Sequence, residues 1–200
     1  MSTGSESGEE SGVNTGAESG GMPGVNTDAG AVRRAGIRAE SNTVRRAGVV
    51  IASTRAATGG YQDTSAPIIG SWLTGQGFES LPVQIVADGQ DVHDALQHLI
   101  SQHPSVIITS GGTGLTADDL TPEMTHPLLE REIPGVMEAI RAAGRSKTPA
   151  AVLSRGYAGV VGNTFIVNLP GSSGGIRDGL AVLEPFLAHL CDQLEGNHEH

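Results

Sequence analysis

Cysteine occurs once in the 200 residues, at Cys191, so the chain can form neither an internal disulfide framework nor a cysteine-built zinc site. A reducing compartment is expected, and with it the cytoplasm. Lysine also occurs once, at Lys147, so a mechanism that needs a lysine on phosphate or a Schiff base has a single candidate. Positive charge is scarce, with Lys+Arg 12 against Asp+Glu 22 and a formal net charge of -10. That balance argues against a general electrostatic hold on nucleic acid or an anionic membrane. No apolar run approaches a membrane span, and Met1 to Gly20 is acidic and Ser/Gly-rich, unlike a basic then apolar leader. A phosphate-bearing small molecule remains compatible, because backbone donors, a few arginines and a metal reverse the field locally within one cleft.

The length is ample for one domain with a sizeable core and thin for two. Residues 1–43 hold scarcely any large apolar side chain, a composition expected to stay disordered because it buries too little to offset the entropy of ordering. Two short echoes there, Gly-Val-Asn-Thr and Val-Arg-Arg-Ala-Gly, lack the apolar content of a solenoid repeat. One domain is expected over 44–195, with 196–200 a frayed end.

Within that domain Ala47 to Ala52 is a continuous apolar run, as in a strand buried on both faces. A polar loop through Gly60 and Tyr61 follows, then a helix capped by Asp63 or Thr64 that stops at Gly75 and Gly77. A strand is expected over Phe78–Ala87, a turn at Asp88-Gly89, and a helix carrying Val92, Leu96 and Leu99 at helical spacing. Val106 to Thr109 is a third buried strand. Thr121-Pro122 fits an N-cap with proline at the first helical position, and Ile133 to Ala143 a further helix. Tyr157–Val161 and Thr164–Leu169, joined by Gly162-Asn163, form a hairpin. Two last helices meet near Pro185. The alternation of strand and helix predicts a three-layer α/β/α fold with a mostly parallel sheet and a C-terminal β-hairpin. In such sheets ligands bind beyond the strands' carboxyl ends, so the loops after Thr54, Asp88 and Thr109 should share one rim.

The chemistry concentrates at Thr109-Ser110-Gly111-Gly112-Thr113-Gly114, directly after a buried strand. Glycines there let amides approach a phosphate or a flat polar heterocycle, and the hydroxyls add donors. The string is not a Walker A loop, since no lysine follows the last glycine. Asp118 and Asp119 follow, two carboxylates able to offer oxygen ligands to Mg2+ or merely to favour a helix dipole.

These strings in series, Thr109 to Gly114, Asp119 ahead of Leu-Thr-Pro, and Asn168-Leu169-Pro170-Gly171-Ser172, resemble the MoaB/Mog family from about Val44 to Leu194. The resemblance implies Mg2+-dependent transfer of AMP from ATP to the terminal phosphate of molybdopterin, with release of pyrophosphate. It assigns the catalytic aspartates to Asp88 and Asp119, which would also hold Mg2+. The pterin and phosphate cradle falls on Thr109, Ser110, Gly111, Gly112, Thr113 and Gly114 with Pro170, Gly171 and Ser172. Arg55 and Arg177 are candidate clamps on substrate phosphate. A homotrimer or homohexamer is implied as well. Ala66 and Ser173 depart from the family's usual glycine and proline, though Ser173 can still cap the helix that follows. The rival readings are a molybdopterin-binding or protein-interaction module without catalysis and a nucleotide hydrolase on the same scaffold. Cys191 and Trp72 read as packing residues, and the histidines as no metal site.

Overall fold

The computed structural model describes residues 44–60 and 63–196. The stretch 1–43, the pair Tyr61 and Gln62, and 197–200 lie outside the described residues, and with them the expected tail, its echoes and most of the expected frayed end. In chain order the elements are β1 (Arg46–Ala52), α1 (Thr54–Ala57), α2 (Ser65–Gly75), β2 (Glu79–Ser80), β3 (Gln84–Val86), α3 (Gln90–Ile100), β4 (Val106–Ser110), α4 (Thr121–Thr125), β5 (Arg131–Glu132), α5 (Pro134–Arg145), β6 (Ala158–Val161), β7 (Thr164–Leu169), α6 (Ser173–Leu183) and α7 (Leu187–Leu194).

The strands form one sheet in the order β2-β1-β4-β7-β6-β5, with β3 continuing along the edge of β1 beyond β2. Pairing is parallel from β2 and β3 through β7, and antiparallel at β6 and β5. Because side chains alternate across a strand, the continuous apolar runs feed two cores. Ala47, Val49, Ile51, Val106 and Ile108 pack toward α2, α5, α6 and α7, where Ile69, Met137, Ile176 and Leu187 meet them. Val50, Ala52, Ile107 and Ile166 face the other way, onto Val92, Leu96 and Leu99 of α3. Gly48 lies on that second side, where a Cβ would come within 2.8 Å of Leu99 Cδ1, so helix and strand approach closely. This is the expected three-layer α/β/α arrangement, and the hairpin turns at Gly162 with φ 54°. Its second strand, β7, sits in the middle of the sheet beside β4.

Some local expectations are corrected. The strand expected over Phe78–Ala87 is broken: Leu81 still donates its N–H to Ala47 O at 2.8 Å, but Pro82 has no N–H, and pairing resumes only at Gln84. A single helical turn, α1, replaces the start of the polar loop, because Ser53 Oγ accepts from Ala56 N–H at 3.2 Å and caps it. Asp63 caps α2 by accepting from the N–H groups of Ser65 and Ala66 at 2.9 and 2.8 Å. Thr121 is the first residue of α4, and its N-cap is Leu120. The edge strand β5 is too short to have shown a period. Cys191 is buried in the larger core, as expected of a small apolar residue. Among the described residues no helix is long and apolar enough to cross a membrane.

Candidate active site

The strands β1, β3 and β4 run parallel and end at one edge of the sheet, so the loops that leave them converge. They line a cleft of about 410 Å³ that includes Thr54, Arg55, Asp88, Ser110, Gly111, Gly112, Asp119 and Gly171. The expected common rim is therefore present.

The glycine turn forms the wall of this cleft, and its geometry explains the residue type at each place. Gly111 and Gly112 have φ of 101° and 61°, the left-handed region that side chains disfavour. A Cβ at Gly111 would fall on the Ala52 carbonyl oxygen, and one at Gly112 would meet Thr121 Oγ1 and lie 2.8 Å from Asp88 Oδ1. At Gly114 a Cβ would lie 2.7 Å from Asp119 Oδ2. The glycines thus clear room for the carboxylates and for close backbone packing. Gly111 N–H donates to Leu169 O at 3.2 Å and Ser110 Oγ donates to Pro170 O at 3.1 Å, which ties the turn to the Pro170-Gly171-Ser172 loop.

Each aspartate is oriented through one oxygen. Asp88 Oδ2 accepts from Thr54 N–H at 3.1 Å and Thr54 Oγ1 at 2.9 Å. The sheet register dictates this pair: Ala52 lies opposite Val86, so the residues two further along each strand meet. Asp119 Oδ2 accepts from Thr116 N–H at 2.9 Å and also from the Thr116 hydroxyl. Burial opposes the charged form of Asp119, but the Thr116 donors, the Gly114 backbone and the Arg155 guanidinium outweigh it, so its carboxyl sits below the usual range. Among the described residues the second oxygen of each carboxylate makes no hydrogen bond within the protein, and no cluster of three or more acidic, histidine or cysteine ligands occurs.

Across the glycine turn lies a second cleft, of about 440 Å³ and opposite character. Thr113, Gly114, Pro170 and Ser172 form its near wall, and Leu115, Ile140, Ala151 and Leu153 make the rest largely apolar. Lys147, at its margin, is paired with Asp178. Ser172 is the N-cap of α6, its Oγ accepting from Gly175 N–H at 3.1 Å, so the cap falls on Ser172 and not on Ser173.

The residues singled out in the sequence divide between these clefts. Asp88, Asp119, Arg55, Ser110, Gly111, Gly112 and Gly171 line the acidic one, and Thr113, Gly114, Pro170 and Ser172 the apolar one. Thr109 lines neither. It is fully buried beneath the turn, where its hydroxyl accepts from Asn168 Nδ2 at 2.9 Å. Arg177 lines neither cleft and projects from an exposed face of α6, its guanidinium 3.4 Å from Ser173 O. Thr54, Thr116 and the apolar wall were not foreseen. The first was open to inference from strand register, whereas the wall is assembled from α5 and the turn after it, with no local signal in the sequence.

In comparison with known proteins, residues 48–189 match the family model described as a probable molybdopterin binding domain. The chain is 39% identical over 148 residues to the molybdenum cofactor biosynthesis bifunctional protein of Synechococcus elongatus, covering 74% of this chain and 46% of that one. It is 34% identical over 151 residues to the molybdopterin adenylyltransferase of Helicobacter pylori, covering 74% and 86% respectively. Among solved structures, the molybdopterin biosynthesis Mog protein from Mycobacterium ulcerans superposes with a TM-score of 0.74 at 51% identity, over 77% of this chain and 99% of that one. The chain spans about half the length of the bifunctional relatives it matches. With the match running through β1, the glycine turn, both aspartates and the Pro170-Gly171-Ser172 loop, the chain belongs to the MoaB/Mog family of probable molybdopterin binding domains.

Proposed function

We propose that the chain transfers AMP from ATP to the terminal phosphate of molybdopterin, releasing pyrophosphate. The observation that carries this reading is the pair of clefts, one acidic and one apolar, that share the glycine turn as their dividing wall. A reaction that joins a triphosphate to a phosphorylated flat heterocycle needs two such compartments with a common boundary where the phosphorus atoms meet. The named activity of the Helicobacter pylori relative, most of whose length this chain covers, supports the same reading.

In the transfer an oxygen of the pterin's terminal phosphate bonds to the α-phosphorus of ATP, and the bond from that phosphorus to the β-phosphate oxygen breaks. No protein nucleophile is required, so positioning and charge neutralisation supply the acceleration. Gly111, Gly112 and Gly171 would let backbone approach the phosphates, and Arg55, exposed and lining the acidic cleft, would neutralise them. Ile140 and Leu153 provide the apolar surface for the pterin, with Thr113 and Ser172 at its phosphate end. The residues present suit Mg2+: Asp88 and Asp119 each keep one oxygen free, and this ion is commonly held by one or two carboxylates with substrate phosphates completing its shell. Bound there, it would draw charge from the triphosphate oxygens.

Purified protein given ATP, Mg2+ and molybdopterin should yield adenylylated pterin and pyrophosphate in equal amounts. Molybdopterin binding without pyrophosphate would leave a non-catalytic binding module, and free AMP without transfer a hydrolase. We also propose a homotrimer or homohexamer in the cytoplasm, the assembly to be read by light scattering of the full chain.

A further inference from the structure

Outside both clefts, Arg155 makes a set of contacts that the reaction as described does not use. It lies in the connection between α5 and β6, far in sequence from the acidic loop. Its Nε donates to Gly114 O at 2.6 Å, one terminal nitrogen donates to Asp119 O, and the other pairs with the Glu123 carboxylate. Its backbone N–H donates to Thr113 O at 3.0 Å. One residue thus grips both ends of the loop that carries Asp119.

The grip is anchored in the sheet. Next to Arg155, a Cβ on Gly156 would come within 2.8 Å of Asn168 O, so the chain is pressed against β7. Tyr157 N–H donates to Asn168 Oδ1 at 2.9 Å, and Asn168 Nδ2 donates to Thr109 Oγ1 at 2.9 Å and Thr125 Oγ1 at 3.0 Å. Asn168 is fully buried and uses its whole amide in this network, which connects the strands under the glycine turn to the residue that holds Asp119.

We propose that Arg155 is a positioning residue for the transfer: its planar fork fixes the Gly114–Asp119 loop so that the free oxygen of Asp119 faces the phosphates. The rigid guanidinium fork spans two carbonyls and a carboxylate from three separate nitrogens, whereas a lysine offers one compact ammonium on a flexible stem. The assignment rests on the adenylyl-transfer reading, and its test separates the two.

Full-length R155Q, R155K and E123Q proteins are compared with wild type in three measurements: kcat and KM for ATP and molybdopterin, amide hydrogen exchange without substrates, and thermal melting. Loss of loop position predicts that R155Q and R155K both lower kcat by about 10- to 100-fold, with each KM within about threefold of wild type. Exchange should quicken across 114–121 and stay unchanged in β4 and α3. E123Q should keep most of kcat, because the two carbonyl contacts remain. Wild-type kcat in R155K overturns the proposal, as does a kcat loss accompanied by faster exchange throughout the domain. If wild type itself gives no transfer, the functional reading fails separately. The grip is then decided by exchange alone: local quickening in R155Q upholds it and unchanged exchange overturns it.

Discussion

The acidic and apolar clefts lie on opposite sides of one turn, yet they are built by different physics. The acidic cleft is assembled from strand ends: parallel register brings Thr54 beside Asp88, and the turn after β4 brings Gly112 against Asp88. The apolar cleft is assembled from side chains of α5 and of the turn following it, standing over Thr113 and Ser172. Backbone geometry therefore sets the first and side-chain packing the second. Substitutions that disturb them should differ accordingly: changes on the acidic side should strike turnover, and changes on the apolar side should strike one substrate's affinity.

The largest effect is expected from Asp119→Asn, which would remove one of the two carboxylates proposed to hold Mg2+. It should lower kcat by at least about a hundredfold while the circular-dichroism melt stays near wild type. An unchanged rate would take Asp119 out of the site. Next is Gly112→Ala, which adds a methyl against Thr121 and Asp88 at a backbone φ of 61°. Strain of this kind costs about 1–3 kcal/mol, visible as a lowered melting temperature, and turnover should fall with it. Gly174→Ala, where nothing lies within 4 Å of the added carbon, is the control and should melt like wild type. On the apolar side, Leu153→Ala should raise KM for molybdopterin by about tenfold and leave KM for ATP alone. Equal change in both would erase the proposed division between the clefts.

A smaller effect concerns pH. The Asp119 carboxyl is held below its usual range, so it stays ionised to lower pH than a free aspartate and its contribution is lost only as pH falls through the lowered value. Thr116→Val removes one of the donors responsible, so the acid limb of the pH–rate profile should move to higher pH. A limb that does not move would mean that Asp119 ionisation does not govern it. The smallest effect lies far from either cleft: burial pushes the Cys191 thiol up to about 11, so alkylation at pH 8 should be slow until denaturant is added. Rapid labelling of the folded protein would contradict its place in the core.

Much of the scaffold was legible because its signals are local. Unbroken apolar runs at Ala47–Ala52 and Val106–Thr109 mark strands covered on both faces, and the spacing of Val92, Leu96 and Leu99 marks a helix with one buried stripe. Local signals fall short at Pro82, where a missing N–H outweighs the β propensity around it, and at α1, whose single turn depends on one serine cap. The candidate aspartates were legible through motif order. Their orienting partners were less so, since a threonine beside an aspartate looks like any loop threonine until two strands are laid in register.

The amino-acid sequence by itself determined where most strands and helices lie, that their alternation makes a layered parallel sheet, and that the candidate site residues gather in the glycine turn and the acids near it. Only the tertiary structure decided that Thr109 serves the buried network instead of a cleft, that Arg177 stands apart from both clefts, and that Arg155 grips a loop 36 residues away. The physical reason is the range of the forces: propensity and periodicity act over a few residues. A hydrogen bond between distant segments exists only once the sheet has brought them together.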